Sequence, residues 1–361
     1  MSLTQRLKEK AYDLGFDLIG VAPAELAPHA DAYRRWLARG YAAQMEWLAR
    51  DPARRADPRR VVAGARSVVV VGLSYFLLDP PPELWRDPAR GRIARYAWGL
   101  DYHDLMLPRL RALGDFIEKE VGRSLKRRAY VDTGPILERD FAAQAGLGFI
   151  GRNTLLIGPR LGSYLFLGEV LVDVELDYDE PAPDGGARCH IDRPGPGRPR
   201  RAGSCGNCTR CLEICPTHAF PAPYVLDSNR CISYLTIELK GSIPLELRPL
   251  LGNWIFGCDD CQEICPWVRH YSQPAREDFL RYDPDTVAPR LLDLIALDPA
   301  GFRARFRGTP LSRAKRRGLL RNVAVALGNW GSPEALPALE RACQDPEPLI
   351  REHAAWAIER T

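Results

Sequence analysis

Four cysteines lie within twelve residues, in the string CGNCTRCLEICP at positions 205–216. Their spacings of two, two and three residues, with Pro216 behind the last, fit the iron–sulfur run C-x2-C-x2-C-x3-C-P. Three thiolates spaced by two residues can wrap one iron–sulfide cubane on a tight loop. The fourth, held ahead of a proline, points away toward a second cluster. A second half is therefore expected, and GCDDCQEICP supplies Cys258, Cys261, Cys265 and Pro266. That half is one cysteine short, and Cys231 in SNRCISYLTIE fills the place from upstream. The crossing pattern assigns Cys205, Cys208, Cys211 and Cys265 to one [4Fe-4S] cluster, and Cys215, Cys231, Cys258 and Cys261 to the other. Paired C-x2-C strings also build zinc ribbons. Zinc ribbons do not require the full run with a trailing proline in both halves. Two cubanes this close make a short wire for single electrons at low potential, so the chain delivers electrons to something.

Eight of the ten cysteines fall between 205 and 265, and the remaining two, Cys189 and Cys343, read as incidental. Clustered thiols point to metal or redox chemistry in a reducing compartment rather than to disulfides. The apolar stretch around Val68–Leu73 is far short of a membrane span. The N-terminal MSLTQRLKEKAYDLGFDLIG alternates charged and apolar residues on a helical period, without the apolar core of a signal peptide. A cytoplasmic protein is expected. A net charge of +4 says little about partners. No coiled coil or broad exposed apolar face is legible, so the default expectation is a monomer.

At 361 residues the chain exceeds one ordinary core, and two or three domains are expected. Residues 1–179 read as mixed helix and strand. Strands are expected at 65–76, 127–132 and 164–179, and helices at 4–14, 31–49, 103–121 and 135–145, the last with a proline in its first turn. Alternating strands and helices predict a layered α/β domain. Residues 180–204, rich in proline, glycine and arginine, read as a linker, and 205–272 as a ferredoxin-like two-cluster domain. In 273–361, RNVAVALGNW (321–330) and REHAAWAIER (351–360) each open on arginine and set alanines on one helical face, with SPEALPALERAC between them. That pattern resembles HEAT-type repeats. The fold class expected is α+β multidomain.

Taken in order, YVDTGPILER (130–139), GLGFIGRNTLLI (146–157), the two-cluster block and the HEAT-like tail closely resemble the epoxyqueuosine reductase family. The resemblance spans almost the whole chain, and segments 45–75 and 93–106 share it. It implies cobalamin bound by the N-terminal domain, with two [4Fe-4S] clusters feeding electrons to its cobalt. It also implies an external low-potential electron donor. The substrate implied is tRNA of the Asp, Asn, His and Tyr type carrying epoxyqueuosine in the anticodon, from which the epoxide oxygen is removed to give queuosine. Two electrons and two protons are consumed, so a proton donor is required.

Asp132 is the matching candidate. It ends an expected strand and opens the turn DTGP, and residues so placed are favoured for chemistry. A carboxylic acid donates at neutral pH only if burial raises its pKa, which a flat apolar corrin over the site would do. From the residues alone, Asp132 reads as a turn or helix-cap residue; the resemblance makes it the acid. Many cobalamin proteins carry D-x-H-x-x-G, but DYHDLM (101–106) lacks the glycine. His103 therefore reads as structural or surface, which fits a family whose cobalt takes no protein histidine. By position in the family motifs, Arg55, Arg95, Tyr96, Asn153, Leu156 and Tyr164 are candidate corrin or nucleotide-tail contacts, arginine suiting the cofactor's phosphate. The six glycines of 146–168 let backbone approach a large planar ligand, or else make ordinary turns.

GFRARFRGTPLSRAKRRGLLR (301–321) holds seven arginines, one lysine and no acid, a phosphate-binding patch by composition. RPGPGRPRRAG (193–203) is a second basic tract beside the clusters. Both are expected to meet the anticodon stem while the modified base enters the pocket. The rival readings are a reductive dehalogenase-like enzyme acting on a small molecule, an electron-transfer subunit without catalysis, and a tRNA-binding scaffold with structural clusters.

Overall fold

Four consecutive valines, Val68–Val71, are wholly buried, which requires a layer on each face of their strand. The computed structural model describes residues 1–181, 203–275 and 282–361. Strands β1 (Leu18–Pro23), β2 (Ser67–Ser74), β3 (Arg127–Tyr130) and β4 (Leu165–Val172) form one sheet in the order β1-β2-β4-β3. On one face lie helices α1 (Leu3–Asp13) and α2 (Tyr102–Val121), whose Leu7, Met106, Leu110 and Ile117 pack on Val69, Val71, Val170 and Val172. On the other, Phe141 and Ala142 of α3 (Glu138–Gln144) pack on Val68, Val70 and Leu171. The layering is as expected, while every pairing is antiparallel.

Several boundaries differ from the periodic reading. The helix expected over 31–49 is two, Ala30–Ala38 and Glu46–Ala49, because Gly40 and Ala43 between them take positive φ. Pro135 lies in the loop before α3 rather than in its first turn. The strand expected to run to 179 ends at Val172, and the one expected to run to 132 ends at Tyr130. Strand β1 was hidden in the N-terminal pattern, since LIGVAP is too short to show a period of its own.

The C-terminal helices are α4 (Lys315–Trp330), α5 (Leu336–Ala342) and α6 (Pro348–Ile358). Leu320, Val323, Ala324 and Leu327 of α4 meet Leu339, Ile350, Ala354 and Ala357. A Cβ on Gly328 would stand 2.8 Å from the Ala357 Cα, so glycine there sets how closely α4 and α6 approach. The same core takes Ile93 and Trp98 from the layered domain and Ile255 and Phe256 from the cysteine region. Arg92–Ile93 pairs in parallel with Trp254–Phe256. Each such buried side chain is worth roughly 1.5–3 kcal/mol, so the three parts of the chain are fastened together rather than tethered. Residues 182–202, with Cys189 and most of the expected linker and second basic tract, lie outside the described residues. Among the described residues no helix is long and apolar enough to cross a membrane.

Candidate active site

Cys205, Cys208, Cys211 and Cys265 line one cavity together with Asn153, Ile157, Arg210, Pro266 and Trp267. The thiols that act electrostatically on Cys211 are those of Cys205, Cys265 and Cys208. A second group forms from Cys215, Cys231, Cys258 and Cys261, among which Cys231 and Cys215 act on Cys261 and Cys231 acts on Cys258. Among the described residues no three His, Cys, Asp or Glu side chains gather as ligands of a single ion would; the thiols ring a space. Local geometry explains the arrangement. A short helix carries Cys211 (Arg210–Glu213) and another Cys261 (Asp260–Glu263), and Pro266 starts the helix after Cys265. Backbone N–H groups already aim at sulfur, Arg152 N at Cys205 Sγ and Ala219 N at Cys215 Sγ, both at 3.4 Å. Burial pushes the thiols of Cys258 and Cys261 well up. Cys343 sits apart on the C-terminal helices.

Asp132 follows β3 in a left-handed conformation, φ +56°. A non-glycine residue there stores of order 1 kcal/mol of strain, a cost met where a side chain must be aimed. The helix-cap reading does not hold, because the N-cap of α3 is Leu137 and no side chain caps it. Instead the Asp132 carboxylate accepts a short hydrogen bond from the Tyr102 hydroxyl and lies 3.8 Å from His103 Nε2. His103 is thus part of the acid site rather than a bystander. Its Nδ1 lies 2.9 Å from Asp101 and 2.7 Å from Arg313. Arg313 binds both Asp101 oxygens at 2.8 Å and reaches the Tyr102 hydroxyl at 3.4 Å. The His103 and Arg313 contacts hold the Asp101 carboxyl down at about 2, against the opposing pull of burial, while burial first and then the Asp132 charge push the Tyr102 phenol up. The Asp132 side chain is 45% exposed, so the protein leaves one side of it open.

Arg55 anchors the acid loop from below. Its guanidinium donates to Gly134 O at 2.9 Å and its carbonyl accepts from Leu137 N at 3.1 Å. Arg95 is 2% exposed and spent on Leu78 O, Asp79 and, through its backbone N–H, Asp259. Leu156 and Tyr164 are core residues, though the Tyr164 hydroxyl has no partner among the described residues. Asn153 donates to Cys261 O at 3.3 Å and faces the first thiol cavity. Of the six candidate corrin contacts, only Tyr96 stands between the thiols and the acid. Its ring is beside Gly257, next to Cys258, and its centroid is 6.2 Å from that of Tyr102. The glycines of 146–168 serve the protein itself: a Cβ on Gly148 would meet Ile157 O at 2.3 Å, and Gly162 turns at φ +72° against Val268.

The basic tract divides. Arg321 is buried and donates to the carbonyls of Leu239, Gly241 and Leu235, and burial lowers its pKa to about 10. Arg316 pairs with Asp345, and Arg313 turns into the acid site. The acids missing from the local string come from elsewhere in the fold. Arg303, Arg305, Arg307 and Arg317 remain exposed.

Two sets of thiols, one of them bordered by Tyr96, and a hydrogen-bonded acid define the class, an iron–sulfur oxidoreductase. Family models match at residues 204–268 (4Fe-4S double cluster binding domain), 55–133 (Epoxyqueuosine reductase QueG) and 311–361 (HEAT repeats). The epoxyqueuosine reductase of Pseudomonas aeruginosa is 42% identical over 99% of this chain and 94% of its own length. That of Escherichia coli K12 is 40% identical over 99% and 89%. A crystal structure of epoxyqueuosine reductase with an epoxyqueuosine-modified tRNA-Tyr stem loop superposes with a TM-score of 0.86 at 31% identity, covering 99% of this chain and 90% of that one. The chain belongs to the epoxyqueuosine reductase family. The dehalogenase-like and electron-subunit readings are not favoured by these matches.

Sequence reasoning passed over Tyr102, Asp101, Arg313, Glu138 and Glu169. One of them carried a signal: Glu169 interrupts the apolar string LFLGEVLV.

Proposed function

We propose that this chain reduces epoxyqueuosine in the anticodon of tRNA to queuosine. Asp132 is the proton donor, and the thiols hold two [4Fe-4S] clusters in the sets Cys205, Cys208, Cys211, Cys265 and Cys215, Cys231, Cys258, Cys261. One observation carries the reading: the Cys258 loop, Tyr96, Tyr102 and Asp132 form a continuous contact path, so electrons and a proton reach the same point. Cobalamin, when bound there, would supply the cobalt that takes the electrons and removes the epoxide oxygen. The surroundings fit it. Asp132 is half open and Tyr96 offers an aromatic wall. Tyr102 and Arg55 aim and hold the acid. A corrin and base stacked over Asp132 would supply the burial that the protein alone does not.

The exposed Arg303, Arg305, Arg307 and Arg317 suit the phosphates of the stem, with Arg313 leading from that face to the acid. A relative bound to a modified stem loop supports a tRNA substrate for this chain. Electrons come from an external low-potential donor. The test is anaerobic protein with cobalamin, a low-potential reductant and tRNA carrying epoxyqueuosine, followed by nucleoside mass spectrometry. Loss of one oxygen, dependent on cobalamin and on intact clusters, is expected. An unchanged nucleoside from protein with full clusters and bound cobalamin overturns the reading.

A further inference from the structure

Glu169 lies in the middle of β4, in register with Val70 of β2 and Tyr130 of β3. It shares its face with Leu167 and Leu171, which pack with Ile136, Leu137 and Phe141 around the start of α3. It is 0% exposed, and neither carboxylate oxygen has a hydrogen-bond partner among the described residues. Leaving such a group unpaired costs about 1–3 kcal/mol, and a leucine would serve the strand better. Glu138, the first residue of α3, has the Asp132 amide turned toward its carboxylate and acts electrostatically on Glu169.

We infer that Glu169 and Glu138 form an internal proton store that recharges Asp132 during turnover. The inference rests on the reading of Asp132 as the acid. Reduction of the epoxide breaks two C–O bonds, forms one C=C bond and releases the oxygen as water, consuming two electrons and two protons. The electrons come from the external donor through the clusters. Asp132 carries one proton at a time. Once tRNA and corrin cover its open side, the second proton must arrive from behind. Glu138 gives its proton to the Asp132 carboxylate and takes one from Glu169, and the store refills from water when product leaves. Burial, with Glu138 and Asp132 adding to it, pushes Glu169 well above the carboxylate range. Burial first, then Asp132, pushes Glu138 up to about 7 against the pull of Arg139 and Arg55. Burial thus favours the protonated form of both carboxyls.

The test uses the full chain with both clusters, cobalamin and epoxyqueuosine-bearing tRNA. Glu169→Gln is expected to keep cluster content, KM and Tm while kcat falls on the order of tenfold. The defect is expected to bring an enlarged solvent deuterium isotope effect on kcat, which a packing defect would not show. Glu169→Leu, suited to the apolar face, is expected to raise Tm and show the same kcat defect, so misfolding of the glutamine variant does not decide the matter. Independently of cofactors, a protonated-carboxyl infrared band at neutral pH should vanish in either variant. Unchanged kcat, a kcat defect with no change in the isotope effect, or no lost band, overturns the store. Normal turnover by Asp132→Asn would instead overturn the assignment of the acid.

Discussion

Seven of the eight grouped thiols come from two short strings of chain, and each string carries its own helix and proline to aim them. The acid site draws Asp101, Tyr102, His103, Asp132 and Arg313 from three separate segments, and Tyr102 and Arg313 stand 211 positions apart. The first region is held by local chain geometry. The second is completed from the C-terminal part, which brings Arg313 onto residues 101–132 of the layered domain. The thiol groups should therefore withstand changes elsewhere in the fold, while the acid should respond to changes at a domain contact far from the cysteines.

The largest effect expected separates the grouped thiols from the lone one. Cys231→Ala should remove about half of the bound iron and abolish turnover, measured by iron analysis and nucleoside mass spectrometry, whereas Cys343→Ala should change neither. Full iron content in Cys231→Ala would break the local account of the cysteines. Asp132→Asn should lower kcat by at least about 100-fold while iron content and the circular dichroism spectrum stay as in the parent.

Within the basic tract, Arg321→Met strips the donor from three carbonyls and should cost about 3 kcal/mol, seen as a fall in Tm. Replacing Arg303, Arg305 and Arg307 together by alanine should leave Tm in place, weaken tRNA binding and flatten its salt dependence. If Arg321→Met chiefly weakens tRNA binding, composition had located the patch better than the fold does.

Tyr102→Phe removes one hydrogen bond to the acid, worth about 1 kcal/mol, so kcat should fall roughly fivefold. A matching fall in Arg313→Met would show that the domain contact reaches the acid through Tyr102.

The smallest effect lies far from both sites. Buried His353 accepts from Ile243 N at 3.2 Å and has Nδ1 2.8 Å from Leu349 O, which fixes the neutral ring. Burial lowers its pKa from 6.5 to about 4. Between those values the unfolded chain binds a proton that the folded one refuses, so stability should fall as pH drops through that window. His353→Gln should flatten that slope in denaturation curves without changing turnover at neutral pH.

The HEAT-like pairing of α4 with α6 was legible because its helical period is long and its alanines repeat. The buried strand β2 was legible because four valines in a row suit only a strand covered on both faces. Strand β1 was not, being too short to show a period. Sequence by itself determined the thiol groups, since a cubane needs ligands at fixed short spacings and the chain supplies them along its own length. It also marked Asp132, at a strand end within a recognisable string. Only the tertiary structure decided what surrounds that acid. Arg55 and Arg95 became internal braces, His103 and Arg313 became its neighbours, and Glu169 was sealed behind it. Those outcomes depend on which surfaces meet when three parts of the chain share one core. Residue type and spacing carry no record of partners that lie hundreds of positions away.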